Sequence, residues 1–294
     1  MPIFGYDQTL YDYYRDDDSY TKGDDIGLYA TGETLSVNVV EMTSTKKWAV
    51  GDYTNKAGSS TLNFIQGSCT DGKYIYVLVT DVADGAPNST GTGTNAPDQT
   101  RVIKIDAKTG TVVKVGPVIS VAHANDITYK DGKILSAWCS GDAKRYTVIN
   151  PDTLEEESQG TFTKNFFSIA YDPISDRFAL AKSGQGYYGY ALMIYKGDGT
   201  FVREFQTERF GYTAQGIFCD EQYIYYTQSN RVNYGGVATQ GSLITVHDWD
   251  GNLVCVLRID NNDEIESMFW LDGSFYACFN ATGGDYIAQL SVKK

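Results

Sequence analysis

The sequence predicts an all-β fold: a five-bladed β-propeller of four-stranded antiparallel blades, with the last blade closed by an N-terminal strand. Three observations predict it. A strand–turn–strand motif recurs five times, a second hairpin follows each of the first four copies, and no segment keeps an apolar i, i+3, i+4 spacing. Each copy is a short apolar strand, a turn built on Asp, Gly or Pro, and a second strand of aromatic and aliphatic residues. The copies read QGSCTDGKYIYVL (66–78), DITYKDGKILSA (126–137), SIAYDPISDRFAL (168–180), QGIFCDEQYIYY (215–226) and ESMFWLDGSFYA (266–277). Their second strands open at Tyr74, Ile134, Phe178, Tyr223 and Phe275, spacings of 44 to 60 residues, which is the length of a four-stranded blade.

The third and fourth strands of the blades follow in order as RVIKIDAKTGTVVKV, YTVINPDTLEEE, LMIYKGDGTFVREF and LITVHDWDGNLVCVL. Their turns, AKTG, PDT, GDG and DWDG, carry residues that tolerate positive φ or cap a chain reversal. The first interval is long because 84–100 (DGAPNSTGTGTNAPDQT) is a Gly/Pro/Ser/Thr/Asn loop without strand pattern. The fifth copy is followed by one further strand only, YIAQLSV at 286–292. Strand-like sequence at 34–42 (TLSVNVVEM) and 47–53 (KWAVGDY) is therefore expected to supply the missing fourth strand and remove two exposed edges. The domain expectation is an acidic, Tyr-rich arm over 1–28 and a propeller over 29–294. Seven Asp and two basic residues in 1–25 make that arm either packed or ordered by a partner.

Composition bounds the function. The chain has 294 residues, 42% of them apolar, enough for a sizeable core, and 24 Lys+Arg against 37 Asp+Glu give a net charge of −13. Such a chain repels phosphate backbones and anionic lipid, so neither nucleic acid nor a membrane surface is an expected partner. No run of 18 apolar residues exists, and MPIFGYDQTLYDYYRDDD does not read as a secretory signal peptide. The expected location is a virion, or outside the cell by a route without such a signal, with the cytoplasm as the alternative. Five dispersed Cys (Cys69, Cys139, Cys219, Cys255, Cys278) read as buried thiols, and two His (His123, His247) are too few for a His-rich metal centre. No cofactor is expected.

The segments QGSCTDGKYIYV, HANDITYKDGKI and QGIFCDEQYIYYTQSN, followed by ITVHDWDGNLV, resemble a group of bacterial and bacteriophage five-bladed propellers. This is the group of receptor-binding-protein, teichoic-acid-protein C and helveticin J type, and the resemblance covers roughly 64–294. Its phage members are similar to adhesins for host wall polymers. The resemblance implies a particle-borne binding protein, whereas a propeller by itself hosts many unrelated activities.

In a propeller the first strand of each blade faces the central channel. The first-strand polar residues are Gln66, Asp126 (preceded by His123 and Asn125), Ser168, Gln215 and Glu266. Amides and carboxylates in a ring suit sugar hydroxyls or a polyol-phosphate, and equally suit channel waters and buried backbone. Asp126 and Glu266 also have the chemistry of paired glycosidase carboxylates. Tyr187 and Tyr188, with Tyr190 nearby, form a loop cluster fit for a sugar-facing platform, while Trp138 and Trp270 are expected in the core.

Other motifs fail on context. GQGYYG at 184–189 precedes a strand rather than a phosphate-binding helix, His247-Asp248 leads into a hairpin, and the Asp-rich turns at 248–251 and 260–264 lack calcium-loop spacing. The expected function is a non-catalytic module for a bacterial surface glycan or cell-wall polymer, carried on a phage particle and contacting other virion proteins through its arm. A polysaccharide-cleaving enzyme and a purely structural virion protein are the alternatives. A neutral or amino-bearing sugar suits an acidic protein better than a phosphate-dense polymer.

Overall fold

The computed structural model describes residues 7–9, 36–50, 63–81, 99–119, 121, 124–138, 144–182, 191–207, 213–229, 231–232, 236–237, 241–281 and 284–293. Among them there is no helix. Three sheets are separate four-stranded antiparallel units. The first holds β3 (Asn63–Thr70), β4 (Tyr74–Asp81), β5 (Gln99–Asp106) and β6 (Val112–Val115). The second holds β7 (Ala124–Lys130), β8 (Lys133–Trp138), β9 (Arg145–Ile149) and β10 (Glu156–Thr161). The third holds β11 (Phe166–Asp172), β12 (Arg177–Lys182), β13 (Ala191–Lys196) and β14 (Phe201–Gln206).

The remaining sheet has nine strands. One antiparallel half is β15 (Thr213–Cys219), β16 (Tyr223–Ser229), β19 (Ser242–Asp248) and β20 (Leu253–Ile259). The other half is β21 (Glu264–Leu271), β22 (Ser274–Asn280) and β23 (Tyr286–Val292), with β2 (Ser36–Ala49) as its fourth strand. Met42 to Ala49 of β2 lie antiparallel to β23, and Val39 to Met42 run parallel to β20, so one strand joins the two halves. β1 (Asp7–Thr9) pairs with the start of β2, and β17 (Arg231–Val232) with β18 (Gly236–Val237) forms a small separate ribbon. The expected arm boundary at 28/29 lies outside the described residues.

Period-2 alternation explains how the sheets stack. In β4, Ile75, Val77 and Val79 enter a core shared with Phe269, Leu271 and Cys278 of the last sheet. The intervening Tyr76 and Leu78 enter a different core, with Ala124, Ile127 and Ile134 of the second sheet. Both faces of an inner strand are thus apolar, as a strand covered on both sides requires. Three more cores lie between the second and third sheets, between the third sheet and the β15 half, and between the two halves of the large sheet. Burial falls from the inner strands outward. Every residue of β11 is buried, whereas β6, β10 and β14 are mostly exposed or half-buried.

The turns carry their own acceptors. Asp71 Oδ1 accepts the Lys73 and Tyr74 amides while its Oδ2 accepts the Tyr76 hydroxyl, and Asp220 repeats this with Gln222, Tyr223 and Tyr225. In the DWDG turn, Asp248 accepts from the Asp250 amide and from both the amide and the side chain of Asn252. Trp48 of β2 lies over Gly110 in the β5–β6 hairpin and stacks on Tyr276 at 5.3 Å.

One expectation is corrected. Trp270 is 45% exposed rather than in the core, because it stands at the hairpin end of β21 with only one side covered. His247 is fully buried against Phe205, although the turn that follows is a surface hairpin. Cys69, Cys219, Cys255 and Cys278 are buried free thiols, as expected, and Cys139 lies outside the described residues.

The inner strands approach one another closely at two glycines. A Cβ on Gly67 would lie 2.7 Å from Asp126 Cα, and one on Gly216 would lie 2.6 Å from the Glu266 carbonyl oxygen. Backbone atoms cannot swing aside as a side-chain tip can. Gly67→Ala and Gly216→Ala are each expected to cost about 1–3 kcal/mol, read as a lower urea midpoint at unchanged slope.

Candidate functional site

The five inner strands β3, β7, β11, β15 and β21 lie side by side in that order, with β21 also against β3. Each carries one extra residue at an equivalent place. The register slips between Ile65 and Gly67, Ala124 and Asp126, Phe166 and Ser168, Ala214 and Ile217, and Ile265 and Ser267. A bulge leaves one residue outside the ladder and re-aims its side chain. The bulges therefore define one layer of equivalent residues: Gln66, Asn125, Phe167, Gln215 and Glu266.

The following layer is made of small or compact residues, namely Gly67, Asp126, Ser168, Gly216 and Ser267. Asp126 and Ser168 thus stand one residue beyond the positions that match Gln66, Gln215 and Glu266. Phe167 makes the layer apolar on the third sheet. Sequence alignment of the repeats passed over it, because an inserted bulge residue cannot be seen in the letters.

Asp126 is fully buried. Its Oδ2 accepts the Ser168 hydroxyl, the Ile217 amide at 3.0 Å and the Ile169 amide at 3.4 Å, and its Oδ1 accepts the Ile127 amide at 2.9 Å. One carboxyl thereby ties together strands of three sheets. Burial raises its pKa to about 7, against the downward pull of Ser168 and those three amides.

The bulge layer has a second centre. Gln215 Nε2 donates to Glu264 Oε1 at 3.3 Å and to Glu266 Oε1 at 3.4 Å. Asn280 Nδ2 donates to Glu266 Oε1 at 2.8 Å and to the Ile65 carbonyl at 3.2 Å, and Asn280 Oδ1 accepts the Ile65 amide at 2.7 Å. The Asn280 side chain therefore pairs with β3 backbone as a neighbouring strand would. Ser68 and Ser267 share a hydrogen bond of 2.7 Å across the same seam.

Gln66, Asn125, Gln215, Glu264 and Glu266 are all buried, and the Asn125 Nδ2 meets no hydrogen-bond partner in the structure. Glu264 was legible in EIE, since residues two apart share a face of a strand. Asn280 was legible only as a polar end to the otherwise apolar SFYACFN. His123, Tyr187, Tyr188 and Tyr190 lie outside the described residues. Among the described residues no group of three or more His, Cys, Asp or Glu is placed to hold a metal ion.

Two buried groups tie stability to pH in opposite directions. Asp126 binds a proton in the folded chain up to about pH 7 and in the unfolded chain only near 4, so its contribution is complete below 4 and lost as pH rises to 7. Burial lowers the His247 pKa to about 4, so its contribution is complete above 6.5 and lost as pH falls to 4. Shifts of this size correspond to about 4 and about 3 kcal/mol respectively. Between pH 4 and 6.5 the two slopes nearly cancel. Urea midpoints of Asp126→Asn, relative to the parent, are expected to fall on acidification through that window. Those of His247→Gln are expected to fall as pH rises from 4 to 7.

No protein-family model matches the chain, and no curated protein matches it in sequence. Solved structures do match in fold. The crystal structure of Myxococcus xanthus glutaminyl cyclase is similar with a TM-score of 0.55 at 12% identity, over 87% of this chain and 99% of that one. A nidogen/laminin complex structure aligns with a TM-score of 0.46 at 10% identity, over 73% of this chain and 72% of that one. At 12% identity the glutaminyl cyclase likeness shows the fold alone, and that fold is a β-propeller.

Proposed function

We propose that this chain is a closed five-bladed propeller that acts as a binding module for a bacterial surface glycan or cell-wall polymer. The five bulges, the five interleaved cores and the pairing of β2 with β23 support the blade count and the closure. The observation that carries the binding reading is the bulge layer itself. Gln66, Asn125, Gln215 and Glu266 bring amide and carboxylate groups to equivalent points around one axis, and the buried Asn125 Nδ2 is a donor with no acceptor in the structure. Sugar hydroxyls donate and accept, so they satisfy both kinds of group at once.

Binding rather than turnover is the reading because the carboxyls are already committed. Asp126 is enclosed by the donors of three sheets, and Glu266 is held by Asn280 and Gln215. The resemblance of the QG, HAND and DWDGN segments to phage propellers supports a particle-borne adhesin, with residues 1–28 as the arm towards other virion proteins.

Purified protein applied to immobilised bacterial polysaccharides and wall polymers is expected to bind at least one of them. Gln215→Ala is expected to weaken that binding about tenfold or more, which corresponds to losing hydrogen bonds of about 1.4 kcal/mol. Retention of full affinity in Gln215→Ala, or release of new chain ends from the bound polymer with time, would overturn the reading.

A further inference from the structure

We propose a second carbohydrate contact at the hairpin end of the last sheet, in which the exposed Trp270 ring stacks against an uncharged or amino-bearing pyranose. This contact does not rest on the bulge-layer reading. Trp270 follows Glu266 by four residues along β21, about 13 Å at a strand rise of 3.3 Å per residue, so one sugar ring cannot occupy both places.

Exposure singles the residue out. Trp249 is buried and Trp48 and Trp138 are half-buried, whereas Trp270 is the one exposed tryptophan of the four. Its ring is also held in place. Phe275 meets it edge-on at 4.6 Å and 75°. Phe275 is backed by Tyr225 at 5.0 Å and Phe218 at 6.4 Å from the neighbouring half of the sheet, and the Tyr225 hydroxyl donates to Asp220. Aromatic rings on both sides of the seam thus back the partly exposed Trp270 ring before any ligand arrives, which limits the ordering cost of binding.

The rim selects the ligand. Asp272 in the same hairpin, and Glu221 with Gln222 in the adjacent one, are exposed, and Gln289 Nε2 donates to Ser274 Oγ beside Phe275. The carboxylates accept from hydroxyls or from an ammonium and repel polyanions. The aromatic face suits the C–H face of a sugar and, if an amino group is present, its cation. A protein partner would instead leave these charges desolvated at the centre of its interface, where charged residues are depleted.

The test is intrinsic tryptophan emission of the full chain, titrated with N-acetylglucosamine tetramer, the deacetylated glucosamine tetramer, maltotetraose and polyanionic hyaluronan. At least one of the three uncharged or amino-bearing probes is expected to change the emission saturably, and hyaluronan is expected to leave it unchanged. Trp270→Ala is expected to weaken direct binding, measured calorimetrically, about tenfold or more, with Trp270→Phe partly restoring it. Gln215→Ala should leave this contact intact, which separates it from the bulge layer.

Unchanged thermal unfolding of Trp270→Ala rules out misfolding as the cause of any loss. No response to any probe, undiminished binding by Trp270→Ala, tightest binding to hyaluronan, or an emission change that tracks protein concentration through self-association would each overturn the proposal.

Discussion

The rest of the structure depends on how the inner edges of the inner strands are satisfied. An edge strand presents backbone amides and carbonyls with no neighbouring strand to receive them, and buried groups of that kind must find partners. Here side chains take the place of the missing strands. Asp126 receives the amides of Ile127, Ile169 and Ile217, Asn280 pairs with both backbone groups of Ile65, Thr128 accepts the Tyr171 amide, and Thr227 donates to the Gly216 and Glu266 carbonyls. The bonds to Ile169, Ile217, Ile65 and Tyr171 run between sheets, and the one from Thr227 to the Glu266 carbonyl joins the two halves of the large sheet. The cores between sheets lie further out and add apolar burial, which has no direction of its own.

Satisfaction at the axis also dictates residue size. Five strands meet closely only if the layer that faces the axis is small, and Gly67, Ser168, Gly216 and Ser267 meet that condition beside the single carboxyl of Asp126. The bulge then lifts the preceding residue out of the ladder, so larger polar side chains stand next to the compact layer without forcing the strands apart. Scaffold and candidate site therefore occupy adjacent residues on the same strand, the compact layer setting how closely the strands approach and the bulge layer carrying the larger polar side chains.

Much of the architecture was legible because it repeats in kind. Asp71 and Asp220 sit in DGKYIY and DEQYIY, and both sequences make the same carboxylate-capped turn with a Tyr hydroxyl returned to the Asp. Alternation in IYVLV sends successive residues to two different cores, as a strand covered on both faces demands. The inner-strand register was not legible. A bulge inserts a residue without changing composition, so matching letters set Asp126 and Ser168 beside Gln66 and Gln215, one place from where the ladder puts them. Exposure of Trp270 was hidden for a related reason: the residue keeps strand alternation, and only its place at the end of the sheet leaves it uncovered.

The same logic explains why the buried ionisable groups lie where they do. His247 sits in β19 against Phe205 and is kept neutral by exclusion of water. Asp126 is equally dry but surrounded by donors, so its proton is held by desolvation alone and opposed by every hydrogen bond it makes. Replacing it by a hydrophobe would remove the desolvation cost and leave three amides and a hydroxyl without an acceptor, which is the costlier error in a buried site. A carboxyl with a raised pKa is thus compatible with a purely architectural role. In this propeller a buried carboxyl with a raised pKa marks the stitch between sheets, one residue beyond the bulge layer.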